Sequence, residues 1–81
     1  MIIKYSNSLS LELNSEEDTL EGDFINLKSL IEALKNTGPK HNQCFTRHLG
    51  IRAHSGGRVL DSDETLGPIK EITLFSPLSG G

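Results

Sequence analysis

The sequence has few of the features that crosslink a chain, anchor it in a membrane or recruit nucleic acid. Its 81 residues include a single cysteine, Cys44, so an internal disulfide is excluded and a reducing compartment is expected. No apolar run approaches the roughly 18 residues of a membrane span, and the N-terminus does not resemble a signal peptide. The net charge of −3 argues against nucleic acid or an anionic membrane as the main partner.

What is present suffices for one small domain. Hydrophobic residues make up 35% of the chain, enough to fill one core. A chain of this length can hardly enclose a dry active-site pocket. We therefore expect a single domain that is not an enzyme by itself.

The N-terminal segment has the pattern of a β-hairpin. Residues 2–5 are mostly apolar, and a short polar link joins them to residues 9–13. In that second run Leu9, Leu11 and Leu13 alternate with polar residues, which is the period of a half-buried strand. The pattern predicts two paired strands.

An acidic segment then leads into the clearest helix signal. Residues 14–23 carry five carboxylates; without the ligand spacing of a calcium loop they favour a solvated loop over a cation site or a site for a basic partner. The apolar side chains that come next have the helical period: Leu27, Leu30, Ile31 and Leu34. We expect a cap at Asp23 or Asn26 and an end at Gly38-Pro39.

The remainder predicts short strands. Residues 40–50 have no strong period, 51–54 and 58–60 suggest brief strands around a turn, and 71–75 a final strand. The resulting order, β-β-α-β-β-β, predicts an α+β fold with one helix across a mixed sheet of four to five strands. Residues 1–75 form the domain, and residues 76–81 are expected to form a flexible tail.

Two patterns resemble ligand sites, and both favour a simpler interpretation. His41, Cys44 and His48 have ligand-like spacing, with His54 further on, but a structural zinc site usually contains paired cysteines. We therefore predict no metal site and a buried, hydrophobic Cys44. Residues 55–58, Ser-Gly-Gly-Arg, lack the Gly-Lys-Ser/Thr of a phosphate-binding loop and predict a tight turn.

The last two residues of the sequence, Gly80 and Gly81, offer distinctive chemistry. Glycine has no side chain, so such a tail can enter a narrow tunnel and present its carboxylate to an ATP-dependent adenylating site. A thiolate or a sulfide donor can then attack the acyl-adenylate. A tail that merely ends in glycine is the simpler alternative, and the predicted order of strands and helix favours the first interpretation.

The predicted order β-β-α-β-β-β, residues 57–66 and residues 72–81 with their terminal Gly-Gly carry a resemblance, over nearly the whole chain, to the ubiquitin-like β-grasp superfamily. Residues 57–66, Gly-Arg-Val-Leu-Asp-Ser-Asp-Glu-Thr-Leu, are similar to ubiquitin's Gly-Lys-Gln-Leu-Glu-Asp-Gly-Arg-Thr-Leu segment. Residues 72–81, Ile-Thr-Leu-Phe-Ser-Pro-Leu-Ser-Gly-Gly, are similar to the endings of MoaD proteins and of the ubiquitin-related modifier family, both sulfur carriers. The resemblance implies a modifier or sulfur carrier activated at Gly81 by an adenylating enzyme that uses ATP, with no cofactor bound to the chain itself.

The departures from ubiquitin indicate which residues a partner reads. Pro77 and Ser79 stand where ubiquitin has arginines, so ubiquitin's own activating enzyme should read this tail poorly. His54 replaces the central isoleucine of ubiquitin's binding patch, and burying an unpaired imidazole there would cost a receptor about 1–3 kcal/mol. Arg58 replaces the lysine of the commonest ubiquitin chains. Phe75, either core or surface, and Leu78 are the best candidates for partner contact, and Phe75, His54 and Arg58 form the predicted partner-binding surface.

Three functions are compatible with the sequence. The first is a modifier or sulfur carrier, monomeric and cytoplasmic or nuclear, acting on conjugation targets or sulfur acceptors. The second is the ubiquitin-fold domain of a precursor, cut after Gly-Gly by a deubiquitinating-type protease, as in splicing activators with a clipped domain. The third is a binding module that uses only its sheet face. Deletion of the two glycines separates them, as does establishing whether the native chain continues past Gly81.

Overall fold

A computed structural model describes residues 1–77 of the chain, and the architecture is a mixed sheet covered on one face by helices. The elements, in chain order, are β1 (Ile2–Tyr5), α1 (Asn7–Leu13), β2 (Glu17–Thr19), α2 (Leu27–Lys35), α3 (Pro39–Arg47), β3 (Arg52–Ser55), β4 (Arg58–Val59) and β5 (Glu71–Phe75). The five strands lie in the order β2-β1-β5-β3-β4. The predicted α+β class is confirmed, and with α1 and α3 set aside the order β-β-α-β-β-β is retained.

The last strand lies at the centre of the sheet. β5 pairs in parallel with β1 and antiparallel with β3, while β2 and β4 form the two edges. Along β5 the side chains of Ile72 and Leu74 are buried against the helices, as the sequence pattern predicts. The chain therefore leaves the sheet from its middle strand.

The predicted strand at residues 9–13 is wrong, because this segment forms the short helix α1. Leu9 and Leu13, one helical turn apart, are buried, whereas Leu11 between them is 83% exposed. Asn14 ends the helix in the left-handed conformation at φ 53°. Three leucines at alternate positions are compatible with a strand, in which all three share one face, and with a helix, in which only the outer two face the core.

The partner of β1 comes instead from the acidic segment, which was predicted to be a loop. β2 pairs antiparallel with β1, with Asp18 opposite Ile3. Acidic residues are poor strand formers, but this is an edge strand, where an exposed charged side chain such as that of Glu17 remains in water and discourages pairing with other chains. Tertiary pairing with β1 therefore overrides the local preference.

The predicted central helix is confirmed as α2, and its start is fixed by Asn26. The Asn26 side chain accepts a hydrogen bond from the Ser29 backbone N–H at 3.0 Å, and the Asn26 N–H donates to Ser29 Oγ at 3.1 Å. This reciprocal pair is a capping box. Leu27, Leu30 and Leu34 lie buried beneath the helix.

Loss of this cap should weaken the domain measurably. Asn26→Ala leaves helix N–H groups without an acceptor, and we expect the free energy of unfolding to fall by about 1 kcal/mol in urea titrations. Asn42→Ala, at an exposed position of α3, is the matched control and should change it by less than about 0.5 kcal/mol. Equal losses in the two variants would show that the cap contributes nothing specific.

Residues 40–50, predicted to be irregular, are mostly helical. Gly38 and Pro39, expected to end α2, instead begin α3 as its N-cap and first residue. Only Cys44 and Phe45 of this helix are buried apolar residues, so its hydrophobic period is faint in the sequence. None of the helices within residues 1–77 is long and apolar enough to cross a bilayer.

Candidate functional site

The face of the sheet that the helices do not cover is the first part of the candidate site. Side chains alternate along a strand, so Thr73 and Phe75 on β5 point away from the core that Ile72 and Leu74 fill. His54 lies opposite Thr73 on β3, and Arg52 lies opposite Phe75. We call this the outer sheet face, defined by five residues: Arg52, His54, Val59, Thr73 and Phe75.

His54 and Phe75 form an aromatic pair at the centre of the outer sheet face. Their ring centroids lie 5.6 Å apart with the planes tilted by 42°. Both side chains are half-buried, and Val59, opposite His54 on β4, is 50% exposed. The sequence is compatible with Phe75 in the core or on the surface. It lies on the surface, on the side of the sheet away from the core.

Arg58 is not part of this pair. On β4 it lies opposite Ser55, next to Val59, and successive side chains of a strand point to opposite faces of the sheet. Its guanidinium binds the carboxylate of Glu64, with Nη1 3.0 Å from Oε1. This ion pair lowers the pKa of Glu64. The predicted partner surface of Phe75, His54 and Arg58 is therefore brought together only in part. Residues 55–58 form the predicted turn between β3 and β4.

The end of β5 is the second part of the site. Ser76 was predicted to belong to the tail, but its side chain is buried, with Oγ 3.3 Å from His48 Nδ1. Ser6, just before α1, donates from its backbone N–H to the Leu74 carbonyl at 3.1 Å. Pro77 is exposed. Four predicted site residues lie outside the described part of the chain: Leu78, Ser79, Gly80 and Gly81.

Beside Ser76 lies a cluster that the sequence did not predict. We call Glu12, Cys44 and His48 the exit cluster; one ligand-type atom from each lies within 4.8 Å of the others. His48 Nε2 lies 3.4 Å from Glu12 Oε1, which also accepts a hydrogen bond from Arg47 at 3.0 Å. The neighbouring Cys44 thiol, helped by His48 and Arg47, holds the pKa of Glu12 below its usual value. Cys44 is fully buried, as predicted.

Ionisation of Cys44 should weaken the fold in alkaline solution. Burial, followed by the nearby Glu12 carboxylate, raises the pKa of the thiol from 9.0 to about 12. Below pH 9 the thiol keeps its proton in both the folded and the unfolded chain, so its ionisation does not lower the free energy of unfolding. Above it only the unfolded chain loses the proton, so the free energy of unfolding falls as the pH rises towards 12.

Urea titrations at several pH values between about 8 and 11 measure this loss. The Cys44→Ala variant should show a shallower decline, with the remainder arising from groups such as Tyr5, whose pKa is raised by burial and by its bond to Asp18. An unchanged slope in this variant would show that the thiol is not responsible.

A separate group of polar side chains, Asp18, Tyr5 and His41, links β2 to α3. Asp18 Oδ2 accepts a hydrogen bond from the Tyr5 hydroxyl at 2.8 Å and lies 2.7 Å from His41 Nε2. His41 is therefore bound to Asp18, away from Cys44 and His48, with which its spacing had grouped it. The arrangement ties an edge strand to the helical layer.

Comparison with known proteins bears on the fold. No protein-family pattern matches the chain, and no curated protein does so. The crystal structure of SAMP1 from Haloferax volcanii, a ubiquitin-like small archaeal modifier protein, superposes with a TM-score of 0.68. The match covers 99% of this chain and 97% of that one, at 22% sequence identity. The chain has the ubiquitin-like β-grasp fold.

The comparison confirms the fold-level resemblance that the sequence suggested. At this level of identity the likeness concerns the backbone and carries no site residue across. The outer sheet face and the end of β5 therefore stand on this chain's own geometry. These two features are adjacent here, because Phe75 and Ser76 are consecutive residues.

Proposed function

We propose that the protein is a ubiquitin-like modifier or sulfur carrier whose Gly81 carboxylate is the reactive group. The observation that carries the proposal is a β-grasp domain whose central strand is followed directly by the sequence Ser-Pro-Leu-Ser-Gly-Gly. The likeness to a small archaeal modifier protein supports it at the level of the fold. The proposal requires Gly81 to carry a free carboxylate, whether directly or after cleavage of a longer chain.

The chemistry would be performed by a partner enzyme. The Gly81 carboxylate attacks the α-phosphate of ATP, pyrophosphate leaves, and an acyl-adenylate forms. A thiolate of the partner then displaces AMP to give a thioester, or a sulfide donor displaces it to give a thiocarboxylate. A target lysine can attack the thioester, releasing the thiolate and forming an isopeptide bond. The chain contributes a carboxylate and a surface, and ATP binds the activating enzyme.

The length of the tail determines where the activating enzyme must dock. Five residues come after Ser76, and an extended chain of that length spans at most about 17 Å. An enzyme that holds the Gly81 carboxylate must therefore approach the domain near the end of β5. The outer sheet face adjoins this point through Phe75, with Pro77, Leu78 and Ser79 as the connecting tail residues.

Phe75 should therefore contribute to recognition. Aromatic side chains at the centre of an interface commonly account for more than 1 kcal/mol each, so we expect Phe75→Ala to lower the yield of activated protein by about fivefold or more. Ile25→Ala is the matched control, because it removes an apolar side chain that is 75% exposed in the loop before α2. Tagged variants expressed in the cell of origin, quantified by mass spectrometry, provide the measurement. Equal yields from the two variants would exclude a docking role for Phe75.

Conjugation itself can be tested through the peptide that trypsin leaves behind. Trypsin cuts after Lys70, so a modified lysine should carry residues 71–81 as a branch. We expect such branched peptides in digests of protein purified under denaturing conditions, and none when Gly80 and Gly81 are deleted. Thiocarboxylate without branched peptides would indicate a sulfur carrier. A chain that continues past Gly81 and is cut there, with neither product, would indicate the processed precursor domain and would overturn the proposal.

The remaining expectations belong to the same proposal. The partners would be an adenylating enzyme and either conjugation targets or sulfur acceptors, with a deubiquitinating-type protease only in the precursor case. The protein would act as a monomer in the cytoplasm or the nucleus, as the single, buried cysteine and the acidic balance suggest.

A further inference from the structure

The exit cluster brings together three kinds of metal-ligating group from two helices. Cys44 and His48 are four residues apart at the end of α3, so their side chains lie on the same side of the helix. Glu12 comes from α1, which packs against α3. The donor atoms lie within 4.8 Å of one another. A carboxylate oxygen, a thiol sulfur and an imidazole nitrogen therefore lie close together.

One carboxylate oxygen of this cluster is buried without a hydrogen bond in the described part of the chain. Glu12 Oε2 is buried, and no donor within residues 1–77 meets hydrogen-bond geometry with it. The Cys44 thiol, which lowers the pKa of this carboxyl, is a weak donor. A buried carboxylate oxygen without a donor is unfavourable. A cation bound by this carboxylate would remove that deficit. The side chains of Glu12 and His48 are 26% and 13% exposed, which leaves a route from solvent.

The groups around the cluster are those that support metal ligands elsewhere. A ligating histidine usually has its second ring nitrogen held by a hydrogen bond, which fixes the orientation of the ring. Ser76 Oγ lies 3.3 Å from His48 Nδ1, while Nε2 is the nitrogen directed at Glu12. Arg47 holds the other carboxylate oxygen, Oε1, at 3.0 Å. Two of the three ligands are therefore positioned by neighbouring side chains.

We propose that Glu12, Cys44 and His48 bind a divalent cation of the zinc class. A thiolate, an imidazole and a carboxylate together suit Zn²⁺ rather than calcium or magnesium, which prefer oxygen ligands only. Binding replaces the proton on Cys44 Sγ, which is released to solvent as the Zn–S bond forms. Three protein ligands leave the fourth tetrahedral position for water.

Cobalt binding tests the site without any assay of function. The purified full chain, freed of metal with a chelator, is titrated with Co²⁺ and then with Zn²⁺ in competition with a chromophoric chelator. We expect one equivalent of Co²⁺ with a thiolate-to-metal charge-transfer band, displaced by Zn²⁺. Cys44→Ser should abolish the band, and His48→Gln should weaken Zn²⁺ binding by about 100-fold or more. Ser76→Ala, which removes the hydroxyl beside the imidazole ring of His48, should weaken it by about 10-fold.

His54→Gln is the matched control, because it removes a histidine on the opposite side of the sheet. It should leave the charge-transfer band and the Zn²⁺ affinity unchanged. Circular dichroism of each variant checks that the fold is retained. If Cys44→Ser fails to fold, Glu12→Gln and His48→Gln at the partly exposed positions carry the test. Absence of the charge-transfer band in the unaltered protein, or equal Zn²⁺ affinity in His48→Gln and His54→Gln, would overturn the proposal.

Discussion

Deletion of Gly80 and Gly81 is expected to reduce activation of the chain to background while leaving its free energy of unfolding unchanged. The carboxylate would then sit on Ser79, whose side chain would meet the narrow tunnel that glycine can enter. Among the described residues, 1–77, the strands and the buried core lie within residues 1–76, so we expect the fold to be retained without the two glycines. Thioester or thiocarboxylate yield and urea titrations measure the two effects separately.

A variant of unchanged length sharpens this experiment. Replacing Gly80-Gly81 by Ala-Ala keeps the reach of the tail but adds two methyl groups. We expect its activation to be nearly as low as that of the deletion, because the narrow tunnel of the proposed activating enzyme would exclude side chains at these two positions. If the chain without Gly80 and Gly81 kept its full function in the cell, the proposed function would be contradicted and a binding module that uses the outer sheet face alone would be favoured.

Leu9→Ala is expected to lower the free energy of unfolding by about 2–5 kcal/mol, whereas Leu11→Ala should change it by less than about 0.5 kcal/mol. Leu9 is fully buried beneath α1, so its truncation leaves a cavity in a small core. Leu11 is 83% exposed on the same helix. Urea titrations of the two variants provide the measurement.

The leucine pair also decides between helix and strand for this segment. In a half-buried strand Leu9 and Leu11 would share one face, and both truncations would be costly. In a helix they lie about 200° apart, so only one faces the core. Comparable large losses in both variants would contradict the placement of α1.

The parts of the fold that the sequence predicted are those with an unambiguous hydrophobic period. α2 has four apolar residues at helical spacing and an asparagine cap, and both features appear in the structure. β5 alternates cleanly, with Ile72 and Leu74 inside. The position of β5 at the centre of the sheet is not written in any local pattern, and only the resemblance to β-grasp proteins implies it.

The parts that were predicted wrongly are those in which tertiary contacts outweigh local preference. In α1 the alternating spacing of three leucines fits a strand or a helix, and the packing of α1 against α3 decides for the helix. In α3 only Cys44 and Phe45 are buried apolar residues, so the periodic signal is faint. The edge strand β2 consists mainly of acidic residues and forms because β1 offers it hydrogen bonds.

The part of the candidate site on correctly predicted strands was predictable from the sequence, and the exit cluster was not. The pairing of His54 with Phe75 arises from correctly predicted strands, and both were predicted as contact residues. The exit cluster is not evident from the sequence because a strand at residues 9–13 gives Glu12 no reason to lie near Cys44 and His48. A helical assignment of residues 7–13 and 39–47 was the missing step. Spacing along the sequence grouped His41 with Cys44 and His48, whereas His41 binds Asp18.

The intact mass of the protein, purified under denaturing conditions from its cell of origin, tests activation at Gly81 most directly. We predict that a fraction of the chains ends at Gly81 with one carboxylate oxygen replaced by sulfur, or is joined through Gly81 to other proteins. Both products require activation of the same carboxylate. If every chain carries an unmodified acid at Gly81 and no adduct exists, or if the chain is never free at Gly81, the proposed function is wrong.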